Sequence, residues 1–504
     1  MRRTGLWPAV VVAAAALSLA ACGSTVQQSS QVAGTASNLD TGLAPVTPTA
    51  ASAPGTAVAP GAAPGTVVVP GQSLPSAAAV PTAGPGAVAG GALAVPASGR
   101  GWDRTTVSVG VITNNDLSTF AGTIGVNSLD SGNQNADAEA MIAVLNAKGG
   151  LFGRRVKGYF YDVHTTDDRE SSAQASCNFF TQDHPVIAVI NGAVENDTDS
   201  FRACMAKAHT MVLAGGAQPF DDKVFASLQG EYYLLPYPSW NDLAPVLADR
   251  LAGQGFFSGW NSATGAPAPT AAKVGVLALD TPILRRVVDA LSRELTRVGH
   301  KPYESYFYSD QASAQAAVLR FRADGITHVI STDQFLFLFM NNADSQGYRP
   351  RYGISTPNAP GLLLQGTVPA EQLVGATGVG FLPALDVDEH NEPSALPPAQ
   401  TACLTSMKQH GLSYPPEKRF ARAYEELFCD AFTLLAAATV RGGGLGPDQV
   451  RAGVAAAGAA LRSSFTFSSI LGNGVHAEPG AVLDLAWGTS CGCFRYSGSL
   501  HALR

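Results

Sequence analysis

Residues 146–162 read NAKGGLFGRRVKGYFYD, and this passage decides the fold. Met141, Val144 and Leu145 share one face of a helix predicted over 136–148. Gly149-Gly150 stops that helix, and residues 151–163 turn back into a strand. Ahead of it stands VSVGVI, 107–112, an uninterrupted apolar run suited to a strand covered on both faces. This strand–helix–strand unit then repeats. Helices are predicted over 170–181 and 197–209, with strands over 186–190 (VIAVI) and 211–214. From a helix at 241–253 the scheme restarts, with strands at 274–279 (VGVLAL), 303–308, 328–331 and 351–355 and helices at 283–298, 311–323 and 335–345. Two successive runs of one pattern predict an α/β protein with two doubly wound parallel-sheet lobes. In such sheets a ligand sits beyond the carboxyl ends of the strands, so the loops there are where function is sought.

The chain ahead of this region has a different character. Met1-Arg2-Arg3 is a short basic start, and residues 6–21 are an uncharged Ala/Val/Leu-rich run, too short for a membrane span. Leu19-Ala20-Ala21-Cys22 resembles the lipobox of bacterial lipoproteins, which implies cleavage before Cys22 and lipid on its sulfur. Residues 23–104 are almost all Ala, Pro, Gly, Ser, Thr and Val, with Pro-Gly at 54–55, 60–61, 64–65, 70–71 and 85–86. That composition cannot bury enough surface to offset its ordering entropy, so a disordered tether is expected, with a reach on the order of 50 Å.

Lys and Arg total 32 against 39 Asp and Glu, a net charge of -7 without a basic stripe, which argues against nucleic acid as a partner. The motifs HExxH, GxSxG and GxxxxGK[ST] are absent, so no catalytic residues, cofactor or metal site are assigned. Asp386, Asp388, Glu389, His390 and Glu392 lack EF-hand spacing and are expected to form a solvated loop. Of seven cysteines, lipidation at Cys22 leaves six, an even number that favours disulfides in an exported chain. Cys177 with Cys204 and Cys403 with Cys429 are the expected pairs, because each would join neighbouring helices. Cys491 and Cys493 are a structural bond or inert thiols on the simpler reading, and a labile redox pair or thiol metal site on the other.

Five segments together resemble the type I periplasmic-binding-protein family, of the branched-chain amino-acid (Leu/Ile/Val) binding type, the substrate-binding lipoproteins of ABC importers. They are VSVGVI with its polar loop, the passage 146–162, VIAVINGAVEND (186–197), MVLAGGAQP (211–219) and ARAYEELFCDAFTLLAA (421–437). A Cys177–Cys204 bond also resembles a disulfide common in that family. The resemblance implies a cleft between two lobes with three crossing segments. The first lobe would be about 105–236 plus 375–455, the second about 237–374 plus 456–504. It further implies a non-enzymatic monomer, anchored by lipid to the outer face of the membrane, that hands a small solute to an ABC permease.

Candidate ligand residues follow from the strand ends. In the first lobe they are Asn114 and Asn115 (before Asp116), Ala193, Glu195 and Asn196, and Gly216, Ala217 and Gln218. In the second they are Asp280, Thr332 and Gln334. Small residues let a ligand approach backbone N–H groups, while turn chemistry alone explains the same loops. Tyr237 and Trp240, near the first crossing, either stack on a ligand or pack between lobes. Amino-acid-binding members hold the ammonium group with carboxylates at positions falling here near Ser239 and Asn358, neither of them charged. Asp242 and Asp280 are the nearest substitutes. The solute class therefore stays open among amino acids, amides and related polar molecules. The rival reading is a sensory or scaffold lipoprotein that kept the fold and acts on a protein partner.

Overall fold

The computed structural model describes residues 95–119, 130–215, 220–363, 367–388, 391, 397–415, 417–472 and 474–503. The first lobe runs β1 (Thr106–Thr113), α1 (Gln134–Ala147), β2 (Arg155–Asp162), α2 (Arg169–Asn178), β3 (Ala188–Asn191), α3 (Asp199–Lys207), β4 (Met211–Ala214), α4 (Asp222–Ser227) and β5 (Tyr232–Leu234). Its sheet has the order β2-β1-β3-β4-β5, every pair parallel. The chain then passes through residues 235–239 into α5 (Trp240–Gly253).

The second lobe continues with the small ribbon β6 (Trp260–Asn261) and β7 (Ala266–Pro267), then β8 (Val274–Leu279), α6 (Pro282–Arg297), β9 (Glu304–Tyr308), α7 (Gln311–Ala323), β10 (His328–Ser331), α8 (Leu336–Ser345), β11 (Arg351–Ser355) and β12 (Thr377–Gly380). Its parallel part, β9-β8-β10-β11-β12, repeats the order of the first sheet. Several helices form where a capped start meets a helical apolar face. In α6, Thr281 accepts the N–H of Leu284, Pro282 opens the first turn, and Leu284, Val287, Val288, Leu291 and Leu295 are buried.

The chain returns to the first lobe with α9 (Pro398–Gln409), α10 (Arg419–Gly442) and α11 (Pro447–Gly458). Phe428 of α10 lies beside Gly192 after β3, and Leu427 beside Gly215 after β4. Leu234 of β5 then pairs with Ala477, and the chain crosses last into β13 (Ala481–Gly488) and β14 (Cys493–Ala502). These two strands extend the second sheet antiparallel, β12-β13-β14, where only parallel strands were expected.

Three expected boundaries move. Residues 377–380 belong to the second sheet, so the second crossing follows β12 rather than residue 375. Residues 456–478 stay with the first lobe, so the last crossing follows Glu478 rather than residue 455. Residues 95–104, assigned to the tether, are docked: Trp102 bridges to Val107, and the Arg100 guanidinium donates to Ala208 O and, at 2.7 Å, to Thr210 Oγ1. Cys22 lies outside the described residues. Disulfides join Cys177 to Cys204, tying α2 to α3, and Cys403 to Cys429, tying α9 to α10. A third joins Cys491 to Cys493. Among the described residues, no helix is long and apolar enough to cross a membrane, and no group of three His, Cys, Asp or Glu is set to hold a metal ion.

A buried carboxyl pair lies between α1 and α10. Asp137 accepts from Tyr414 Oη at 3.2 Å, and its other oxygen has no partner. Burial, and then the charge of Glu425, push its pKa up to about 8; burial pushes Glu425 up to about 7 against the pull of Arg422. Both carboxyls hold protons in the fold at a pH where the unfolded chain has lost them. Their contribution is therefore full below the ordinary carboxylate range and is lost as pH rises through 7 to 8. Thermal melts from pH 5 to 8.5 should show Asp137→Asn flattening the decline of the unaltered protein, with a higher melting temperature at the alkaline end. Parallel curves would contradict this.

Candidate ligand-binding cleft

In each sheet the strand order reverses beside the first strand of the lobe, between β1 and β3 and again between β8 and β10. Loops leaving neighbouring strands there run in opposite directions and open a crevice at the carboxyl edge. The first-lobe crevice is built tightly. Asn114 is buried: its N–H donates to Gln134 Oε1 (3.1 Å), its Nδ2 to Thr165 Oγ1 (3.2 Å), and its Oδ1 accepts from Asp116 N (3.0 Å). Asn115 Oδ1 caps α1 by accepting from Gln134 N, and its Nδ2 donates to Asp162 Oδ1. Both asparagines therefore shape the loop, using the same side-chain atoms a ligand would need.

The polar atoms left over lie next to them. Gln134 Nε2 and Asn191 Nδ2 are buried donors without a well-formed hydrogen bond, Gln134 lying toward the Tyr424 hydroxyl, while Asn191 Oδ1 accepts from Ala193 N (3.1 Å). Gly192 keeps this point open, since a Cβ there would sit 2.9 Å from Gln134 Oε1 and 3.2 Å from both Ile112 O and Phe428. Ala193 is buried. Glu195 is half-buried, and its backbone O accepts from Arg169 Nε (3.0 Å). Tyr424 of α10 stands close enough that Glu195's charge adds to burial in pushing its phenol above the ordinary range. Asn196 turns inward to Ser172 and Ser176 of α2 and is unavailable. Gly216, Ala217 and Gln218 lie outside the described residues.

In the second lobe, Asp333 is the organiser. Its carboxylate accepts from Tyr308 Oη (2.6 Å), Leu279 N (2.9 Å) and Phe335 N (2.8 Å), and burial pushes its pKa up to about 6. Thr332 is fully buried, with an Oγ1 that has no protein partner, and Gln334 is half-buried. Asp280 is paired with Arg285 at 2.7 Å on the surface. Asn358 is a scaffold residue, since its Nδ2 donates to Ser331 O and Asp333 O and its Oδ1 accepts from Ser355 N. Ser239 caps α5 and donates to Asp222 Oδ1.

The hinge separates the two aromatic candidates. Trp240 is 1% exposed and packs in the core at the start of α5, so it is not a stacking surface. Tyr237 is 7% exposed, edge-on to Phe381 at 5.9 Å. Burial first, then the charges of Asp386 and Tyr424, raise its phenol pKa. Asp386, expected in a solvated loop, is fully buried. Its Oδ2 accepts from Thr356 Oγ1, Phe381 N, Leu382 N and Tyr496 Oη, and its Oδ1 is unpartnered. The short helix Pro383–Asp386 places it there. Gln134, Asn191, Tyr424 and Asp386 are therefore candidate site residues missed in the sequence. The face formed by Tyr424, Leu427, Phe428 and Ala431 was the available signal for the third.

Solved structures share this architecture. Periplasmic binding protein type 1 from Bordetella pertussis Tohama I matches at TM-score 0.57 and 14% identity, over 78% of this chain and 100% of that one. A branched-chain amino acid ABC transporter protein from Thermus thermophilus with bound valine matches at TM-score 0.56 and 13% identity, over 79% and 97%. An ABC transporter substrate-binding protein from Desulfitobacterium hafniense in complex with Leu matches at 0.53 and 15%, over 78% and 100%. The chain has the type I periplasmic binding protein fold. No family model matches the sequence, and no curated protein sequence matches it.

In this fold the lobes move about the crossings, so contacts between lobes set the resting geometry. An ion pair joins them. Arg286 of α6 donates Nε to Asp221 Oδ2 (2.5 Å) and Nη2 to Asp221 Oδ1 (3.1 Å). Asp221 also caps α4, at the end of the loop leaving β4, and α6 starts directly after Asp280. The clasp thus ties the start of α4 in one lobe to α6 in the other. Arg286→Ala should widen the resting cleft, seen as a larger radius of gyration in small-angle scattering, with a melting temperature lowered by at most a few degrees. An unchanged scattering curve would show that the clasp does not set the opening.

Proposed function

We propose that this chain is an extracytoplasmic solute-binding lipoprotein. It captures a small polar solute between its lobes and delivers it to an ABC importer, acting as a lipid-anchored receptor rather than an enzyme. The observation that carries the reading is the set of buried, unpartnered polar atoms at both switch points: Gln134 Nε2 and Asn191 Nδ2 in the first lobe, Thr332 Oγ1 in the second. Buried donors cost about 1–3 kcal/mol each when unpaired, and a bound solute relieves that cost. The neighbours with bound valine and Leu support a solute of amino-acid size.

Two amide donors on one wall suit a carboxylate or carbonyl group of the solute. An ammonium group, if the solute carries one, has Glu195 as its counter-charge, because Asn358 and Ser239 are uncharged and already engaged. Tyr237 and Tyr424 are the remaining contacts at the cleft floor.

A thermal-shift screen of residues 95–504 against amino acids, amides and small carboxylic acids tests this. A ligand at 100 times its dissociation constant adds about 2.7 kcal/mol to the native state, a rise of several degrees. Gln134→Leu should weaken the hit about tenfold, the equivalent of ~1.4 kcal/mol, and should also lower the ligand-free melting temperature by a few degrees, because it removes the acceptor of the buried Asn114 N–H. Uptake by the cognate permease should then require the same residue. A folded protein with no hit would favour the sensory or scaffold role.

A further inference from the structure

The third disulfide differs from the other two in what it holds. Cys177–Cys204 and Cys403–Cys429 span 27 and 26 residues and tie separate helices together. Cys491–Cys493 spans two residues at the tip of the β13–β14 hairpin. Its strands are already held without it. Gly488 pairs with Cys493 in the ladder, Gly492 N donates to Gly488 O at 2.9 Å, and Trp487 packs edge-on to Phe494 at 5.1 Å. The hairpin therefore keeps its shape whether the sulfurs are bonded or not, which a reversible redox pair requires.

Access is uneven across the bond. Cys491 is exposed and Cys493 is buried. Gly488 leaves the sulfur uncovered, since a Cβ there would stand 3.0 Å from Cys491 Sγ. Cδ of Arg495, an exposed residue, lies 3.9 Å from that same point, so the stem of a cationic side chain passes the place the sulfur occupies. A cation beside a sulfur favours its thiolate form, and exposed disulfides are the ones that exchange.

We propose that Cys491–Cys493 is a thiol–disulfide exchange site for a dithiol protein. One thiolate of the partner attacks Cys491 Sγ. The Cys491–Cys493 bond breaks, a partner–Cys491 mixed disulfide forms, and the electron pair leaves on Cys493 Sγ, which takes a proton. The partner's second thiolate then attacks its own bonded sulfur, closing the partner's disulfide and releasing Cys491 as a thiolate, which is protonated in turn. One dithiol is oxidised, one disulfide is reduced, and the two protons of the partner's thiols end on Cys491 and Cys493. A disulfide-bearing partner runs the sequence in reverse. Arg495 is a positioning residue that favours the sulfur anions.

The test uses the full chain in native buffer with reduced thioredoxin as the probe dithiol protein, followed by acid quench, alkylation and peptide mass mapping. Apart from Cys22, the expected result is alkylation of Cys491 and Cys493 alone, with Cys177–Cys204 and Cys403–Cys429 still paired and the melting temperature lowered by no more than a few degrees. Arg495→Ala should slow the exchange about threefold or more, and Arg495→Lys should restore most of the rate. Resistance of the pair until denaturant is added, or reduction of all three disulfides together, would overturn the proposal. An unchanged rate in Arg495→Ala would overturn the part given to Arg495.

Discussion

A parallel sheet that reverses its strand order leaves an uncovered crevice at its carboxyl edge, because the flanking loops depart toward opposite faces. This chain makes that reversal twice, beside β1 and beside β8. Everything functional depends on it. The first reversal gathers Gln134, Asn191 and Gly192 at one point; the second gathers Asp333 and Thr332. In both lobes a fully engaged residue sets the loop, Asn114 in one and Asp333 in the other, and a neighbour is left with an unpaired polar atom. The division follows from satisfaction of buried polar groups: an atom already holding the loop has nothing to offer a ligand.

The connection between lobes carries an unusual load of buried charge. Asp386 follows β12 at the second crossing, with Tyr237 of the first crossing close by. Glu478, beside the third crossing, and Asp430 of α10 are both buried, and burial raises the pKa of each. Asp430 is held by Ser463 and by the N–H and hydroxyl of Ser464. Buried polar groups at a crossing specify one path for the chain, since any other leaves them unsatisfied. The apolar core meanwhile runs from the first lobe through α5 to the near face of the second sheet.

Much of the fold was legible from the sequence because its signal is local. Apolar strands at 211–214, 274–279, 328–331 and 351–355 coincide with β4, β8, β10 and β11. The C-terminal hairpin was missed although AVLDLAWG and CFRYSGSLHA flank a short turn, because it breaks the parallel pattern that had organised the rest. Lobe boundaries were missed because a crossing is defined by which sheet a strand joins, a long-range fact. The site was only partly legible. Strand ends gave candidate loops, yet which side chain in a loop is free depends on partners far along the chain: Asn196 is taken by Ser176 of α2, while Gln134 keeps its amide nitrogen available. Trp240 sits at the start of a helix, and its burial in the core could not be read from spacing.

The central claim is that the lobes close over a solute held by atoms from both. Small-angle X-ray scattering of residues 95–504 with and without the solute that raises the melting temperature tests it most directly. The account predicts a smaller radius of gyration with solute present, and a clearly smaller change for Gln134→Leu at the same solute concentration, below that variant's dissociation constant. Tight binding with a scattering curve that does not move would contradict closure and place the solute somewhere other than between the lobes.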